Sequence, residues 1–250
     1  MHDSSALFPI KLSTGSLDFN NWLNGGYETG IITLLYGPAG SGKSNFAILA
    51  SVAQAQKGKK VIFIDTEGSF SVERIHQLAP QNAEFILNNI LILKPTSFSE
   101  QKKTFAQLSL EIKNSQNLGL VVVDSLTMLY RLELAAARKK NLADIQEVNA
   151  ELSKQMNILH EIARKKNIAA IITGQVYNEF LSEEDWLGGK EASVSLVGGD
   201  ILKYWSKCVI ELQKKDTKRT ALIRKHRSIE EKTINFEIVN EGIRKKGWLL

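Results

Sequence analysis

Four short runs of uninterrupted apolar residues govern what this 250-residue chain can become. They are 31–36 (IITLLY), 61–65 (VIFID), 120–124 (LVVVD) and 168–173 (IAAIIT). A strand with one wet face alternates apolar and polar side chains. These runs do not alternate, so each predicts a strand buried on both faces. Between them, apolar residues recur every three or four positions, the period of a helix. Phe46, Leu49, Ala50 and Ala53 share a face over 42–57, and Gly58 ends the segment. Phe105, Leu108 and Ile112 do so over 99–114. Leu142, Ile145, Val148, Leu152, Met156, Leu159 and Ile162 do so over 139–166. Shorter helices are expected at 16–23 and 71–79. Buried strands alternating with amphipathic helices predict an α/β fold, a mainly parallel sheet flanked by helices.

After residue 204 the pattern changes. Segments 206–213, 219–225 and 233–239 read as strands joined by the polar turns KKDTK and HRSIEEK. Ile234, Phe236 and Ile238 alternate with Asn235 and Glu237, so this part is expected to be an antiparallel C-terminal extension. One domain over 13–250 follows, preceded by a flexible tail over 1–12. Cys208 is the only cysteine, which excludes an intrachain disulfide and a cysteine zinc cluster and makes a reduced, cytoplasmic setting the expectation. No run of 18 apolar residues predicts a membrane span, and the opening MHDSSALFPIKL does not read as a signal peptide. His2, His76 and His160 show no metal-ligand spacing, and Trp22, Trp205 and Trp248 read as packing residues.

The first buried run leads directly into GPAGSGKS at 37–44, a full match to GxxxxGK[ST]. Glycines there let backbone N–H groups face a phosphate chain, and the following helix adds its positive end. The expected nucleotide-binding set is Gly37, Pro38, Ala39, Gly40, Ser41, Gly42, Lys43, Ser44 and Asn45. Lys43 should reach the β- and γ-phosphates of ATP, and the Ser44 hydroxyl should ligate Mg2+. A carboxylate to orient the magnesium belongs at the end of a neighbouring buried strand, where Asp124 stands. Glu67, two residues beyond the strand VIFID, is the choice for a base that positions water, and Asp65 reads as structural or as a support to the residues that touch the ligand.

Together these residues resemble the RecA-like recombinase superfamily, and within it the archaeal RadA/RadB branch. The resemblance runs from about Ser13 to Gly242. It is carried by TGSLDFNNWLNGGYETG, the phosphate loop, IDTEGSFSVERI at 64–75, LVVVDSL at 120–126, ITGQV at 172–176 and VGGDILKYW at 197–205. It implies a RecA-like P-loop NTPase core that binds ATP and Mg2+, with Glu67 activating water. It implies that Arg74 packs on adenine and that Gln175 senses the γ-phosphate. The implied activity is weak or DNA-dependent ATP hydrolysis. Implied partners are single-stranded DNA, recombination or repair proteins and further copies of the chain.

The sequence also departs from full recombinases. Only about 12 residues precede the core, where those carry a helix-hairpin-helix domain, and Phe8-Pro-Ile-Lys is no Phe-x-x-Ala motif. A core-only chain is similar to the RadB group, as is the basic segment IRKHRS at 223–228. Filament-driven strand exchange is therefore not expected. Net charge is +5, yet 203–246 alone carries +7 and 177–196 carries −4. Neutralising a DNA backbone needs Lys and Arg, so the acidic loop suits it poorly. Lys225 and Arg227 have three open readings: a contact across a subunit interface to a neighbour's γ-phosphate, a DNA contact, or a solvated strand end. Arg138-Lys139-Lys140 reads as a DNA-loop contact or a charged helix start. The competing function is an ATP-gated protein-interaction regulator, KaiC-like, with DNA incidental. The acidic loop is its best support.

Overall fold

A computed structural model describes residues 10–114, 117–178 and 194–247. The chain opens with β1 (Lys11–Leu12), α1 (Leu17–Trp22) and β2 (Tyr27–Glu28), and β1 pairs antiparallel with β2. Leu12 is buried, so ordered structure begins inside the stretch expected to be tail. The α/β part follows: β3 (Ile32–Gly37), α2 (Lys43–Ala55), β4 (Lys60–Asp65), α3 (Val72–Leu78), α4 (Ala83–Leu87), β5 (Ile90–Leu93), α5 (Phe98–Asn114), β6 (Leu118–Asp124), α6 (Thr127–Ala137), α7 (Leu142–Lys166) and β7 (Ala169–Asn178). Then come β8 (Val194–Leu196), α8 (Gly199–Trp205) and the strands β9 (Cys208–Lys215), β10 (Lys218–Lys225), β11 (Thr233–Val239) and β12 (Gly242–Lys245).

The main sheet has the order β12-β11-β10-β9-β3-β7-β6-β4-β5, with β8 paired to β7. From β9 to β5 neighbouring strands are parallel, and from β9 to β12 antiparallel. The four apolar runs are the four central strands β3, β7, β6 and β4, each covered on both faces. One core holds Phe46, Phe63, Ile171 and Phe236, and the other holds Ile64, Val123, Leu152 and Ile172. Phe236 stacks edge-on against Phe19 and Phe46, with ring centroids 5.6 and 5.3 Å away, which ties the antiparallel extension to α1 and α2.

Several elements differ from expectation. The helix expected over 139–166 is α7 alone, starting after Asn141, whose side chain caps Asp144 N at 3.0 Å. Leu142 is consequently exposed. Arg138, Lys139 and Lys140 follow α6, a helix absent from the sequence reading, so they sit at a helix end rather than a helix start. Cationic side chains there complement the negative end of the helix dipole. The short β5, α4, α8 and β12 were also not anticipated. Each is too brief for periodicity to reveal.

Candidate nucleotide site

The carboxyl ends of the parallel strands bring the motif residues together. β3 ends at Gly37, which pairs in register with Gln175 of β7. β4 and β6 end level with each other at Asp65 and Asp124. Gly40 (φ +70°) and Gly42 (φ +113°) turn the loop with left-handed backbone before α2 begins. Gly37 must lack a side chain for a different reason: a Cβ there would stand 2.0 Å from the Leu212 carbonyl oxygen of β9.

A cavity of about 480 Å3 opens over this loop. It is lined by Gly37, Ala39, Gly40, Gly42, Lys43, Ser44 and Asn45, with Glu67 and Gln175 opposite. Pro38, exposed, and Ser41, buried, are not among the lining residues. The Lys43 ammonium is buried and donates to the Gly37 and Pro38 carbonyls at 2.8 and 2.9 Å. Burial pulls its pKa down, while Glu67 and Asp124 pull it back. Glu67 Oε1 accepts a 2.7 Å hydrogen bond from Gln175 Nε2, joining two residues 108 positions apart.

Asp124 is fully buried and is not itself among the residues lining the cavity, though its charge acts on Lys43. Its Oδ2 accepts from Ser69 Oγ at 2.6 Å and its Oδ1 from Thr173 Oγ1 at 2.5 Å. Asp65 has the structural role expected of it: Oδ1 accepts from Ser69 N (3.0 Å) and Oδ2 from Phe70 N (3.1 Å), which folds the loop carrying Glu67. Thr66 Oγ1 bridges to Ser125, donating to its carbonyl at 2.7 Å and accepting from its N–H at 3.0 Å. Thr127 Oγ1 accepts from Gln175 N at 3.0 Å. Ser44 and Asp124 supply hard oxygen donors, the kind magnesium takes. Among the described residues no group of three His, Cys, Asp or Glu gathers for a metal.

Arg74 does not line this cavity. Its guanidinium donates to the carbonyls of Val239 (2.9 Å), Asn240 (3.1 Å) and Gly242 (3.4 Å), holding the β11–β12 turn. Lys225 Nζ donates to the Lys203 carbonyl at 2.8 Å and caps the last turn of α8. Arg227 Nε donates to Glu28 Oε2 at 2.7 Å, an ion pair inside the chain that none of its three sequence readings contained. Glu28 also meets Lys11 at 3.0 Å, with the buried His226 at 3.7 Å. Arg131 of α6 and Arg219 of β10 do line the cavity. Sequence reasoning missed both, since neither belongs to a motif. Of the acidic loop, 179–193 lies outside the described residues, as do Phe8, His2 and Trp248.

Fold and cavity together define a P-loop core of the RecA type: a parallel sheet with a phosphate loop at the carboxyl end of its central strand and an antiparallel C-terminal extension. A family model described as Rad51 matches residues 7–246, and the chain belongs to that family. It is 41% identical over 237 residues to "DNA repair and recombination protein RadB" of Methanobrevibacter smithii, covering 93% of this chain and 95% of that protein. The namesake protein of Methanocaldococcus jannaschii is 41% identical over 221 residues, covering 88% of this chain and 96% of its own length. Among solved structures, "Crystal structure of the RadB recombinase" superposes with a TM-score of 0.72 at 34% identity, covering 93% of this chain and 98% of that one.

Proposed function

We propose that this chain is a cytoplasmic, ATP-binding and DNA-binding repair and recombination protein that hydrolyses ATP weakly. The observation that carries this reading is one cavity lined by the phosphate loop, Lys43, Glu67 and Gln175. The relatives' names place them in DNA repair and recombination; the partners proposed here are single-stranded DNA, repair proteins and further copies of the chain. In this reading the loop amides and Lys43 hold the phosphates, and Ser44 and Asp124 would hold Mg2+. The ion would neutralise charge on the β- and γ-phosphate oxygens. Glu67 Oε1 accepts the proton of the attacking water as the water oxygen bonds the γ-phosphorus. The bond from that phosphorus to the β-bridging oxygen breaks, and the electron pair leaves with ADP. Gln175, hydrogen-bonded to Glu67, positions the carboxylate and links it to β7. From there the chain runs into the 179–193 segment, so a change at the γ-phosphate has a covalent path out of the site.

ATP turnover measured with and without single-stranded DNA tests the reading. Glu67→Gln should keep nucleotide binding and lower turnover by about 100-fold or more, the usual contribution of a general base. Turnover retained in that variant would refute the assignment of the base. Absence of DNA binding at low salt would refute the recombination reading.

A further inference from the structure

Two cationic side chains of the β9–β10 hairpin converge on the phosphate loop, and no phosphate-loop motif contains them. In the antiparallel ladder Lys214 stands directly opposite Arg219. Opposite residues leave the same face of a sheet about 5 Å apart, and like charges so placed repel. Both reach Gly40. Arg219 Nε donates to the Gly40 carbonyl at 3.3 Å. Lys214 Nζ lies 3.3 Å from the point a Cβ on Gly40 would occupy. Among the described residues neither cation forms an ion pair, and the terminal amino groups of Arg219 have no hydrogen-bond acceptor. Arg131 enters the same cavity from α6. Of the charges lining the cavity among the described residues, Lys43 and Glu67 cancel, so the two guanidiniums leave a positive surplus.

We propose that the β9–β10 hairpin is a phosphate clamp acting within a single chain: Arg219, supported by Lys214, closes over Gly40 on the polyphosphate of a nucleoside triphosphate. This rests on reading the cavity as the ATP site. A like-charged pair opposed across a ladder weakens the hairpin when the site is empty. An anion between the two charges turns that repulsion into attraction. A triphosphate brings more negative charge than a diphosphate, so the clamp favours ATP over ADP. Gly40 has two uses here: its left-handed backbone turns the loop, and its missing side chain leaves room for Lys214.

The test is equilibrium binding, followed by fluorescence, of a magnesium-loaded non-hydrolysable ATP analogue and of ADP. The chains compared are the native one, Arg219→Ala, Arg219→Lys and Lys214→Ala, with melting of each nucleotide-free protein alongside. Arg219→Ala should weaken the triphosphate analogue on the order of tenfold, the share of one charge-assisted hydrogen bond. ADP should weaken markedly less, Arg219→Lys should restore part of the loss, and Lys214→Ala should show a smaller effect of the same kind. Relief of the repulsion should leave the nucleotide-free melting temperature unchanged or raised. Unaltered triphosphate affinity in Arg219→Ala overturns the clamp, as does equal loss of both nucleotides together with a lower melting temperature. A native chain that binds neither nucleotide overturns the ATP reading of the cavity itself, and the clamp with it. Native binding with no effect of the hairpin variants overturns the clamp alone.

Discussion

Arg227→Gln separates a structural arginine from a DNA-contacting one. Its guanidinium lies 2.7 Å from Glu28 Oε2, with the Glu28 side chain 1% exposed and the Arg227 side chain 53% exposed. At that distance Coulomb attraction is about 1.5 kcal/mol with the screening of bulk water and about 6 kcal/mol at an effective dielectric constant near 20. Half of the arginine is wet, and holding its long side chain costs entropy, so the net contribution should fall to about 1–2 kcal/mol. Lys11, 3.0 Å away, remains to compensate Glu28 when Arg227 is lost. Removing Glu28 is worse. Glu28→Gln leaves Lys11 and Arg227 without their shared anion and should cost about 3 kcal/mol. Urea unfolding of both single variants and the double variant at pH 7 gives the coupling energy directly. The melting temperature of Arg227→Gln should fall by roughly 2–8 °C for a chain of this size, with DNA affinity unchanged. Burial works to raise the Glu28 pKa, but Lys11, Arg227 and His226 together hold it below its ordinary value. A depressed carboxylate stabilises the fold above its unfolded pKa and loses that contribution as pH falls through the folded one. The coupling should therefore be complete at pH 7 and vanish in acid below the ordinary glutamate range. A coupling energy under about 0.5 kcal/mol, the level of independent sites, would refute the structural role, as would weaker DNA binding at unchanged stability.

Two further outcomes follow from packing. Burial pushes the Cys208 thiol up to about 12, so little thiolate exists at pH 8, and an alkylating reagent should label the folded protein far more slowly than the urea-unfolded chain. Equal labelling rates would show that the β9 start is open. Gly37→Ala would place a Cβ 2.0 Å from the Leu212 oxygen, so β3 and β9 must part. A loss of about 1–3 kcal/mol in denaturant is expected, together with loss of nucleotide binding, and native-like stability in that variant would contradict the geometry.

Much of the fold was legible because its signals are local. Continuous apolar runs marked the central strands β3, β4, β6 and β7, and three- and four-residue spacing marked α2, α5 and most of α7. β5 and β12 escaped because a four-residue strand at a sheet edge is defined by its neighbour rather than by its own pattern. α6 escaped because the eleven residues 127–137, between the strand ending at Asp124 and the helix expected from 139, were assigned no element. The site divides in the same way. The positions of the phosphate loop, Asp124 and Glu67 at the carboxyl ends of buried strands were legible from motifs of short spacing, whereas Ser69 and Thr173, which bond Asp124, and Thr127, which accepts from Gln175 N, carry no signal of their own.

By itself the sequence determined the α/β class, the place of the phosphate loop at the end of a buried strand, and the kinship of the chain, because each depends on residues close together or on motifs in fixed order. Only the tertiary structure decided which cations have partners. It paired Arg227 with Glu28 across 199 positions, spent the Arg74 guanidinium on the β11–β12 turn, and carried Arg219 and Lys214 to Gly40. Charge along a chain shows where cations are plentiful. Whether each is free or already neutralised depends on distances of a few ångströms between residues far apart in sequence, and those distances are set when the antiparallel hairpin packs beside the phosphate loop.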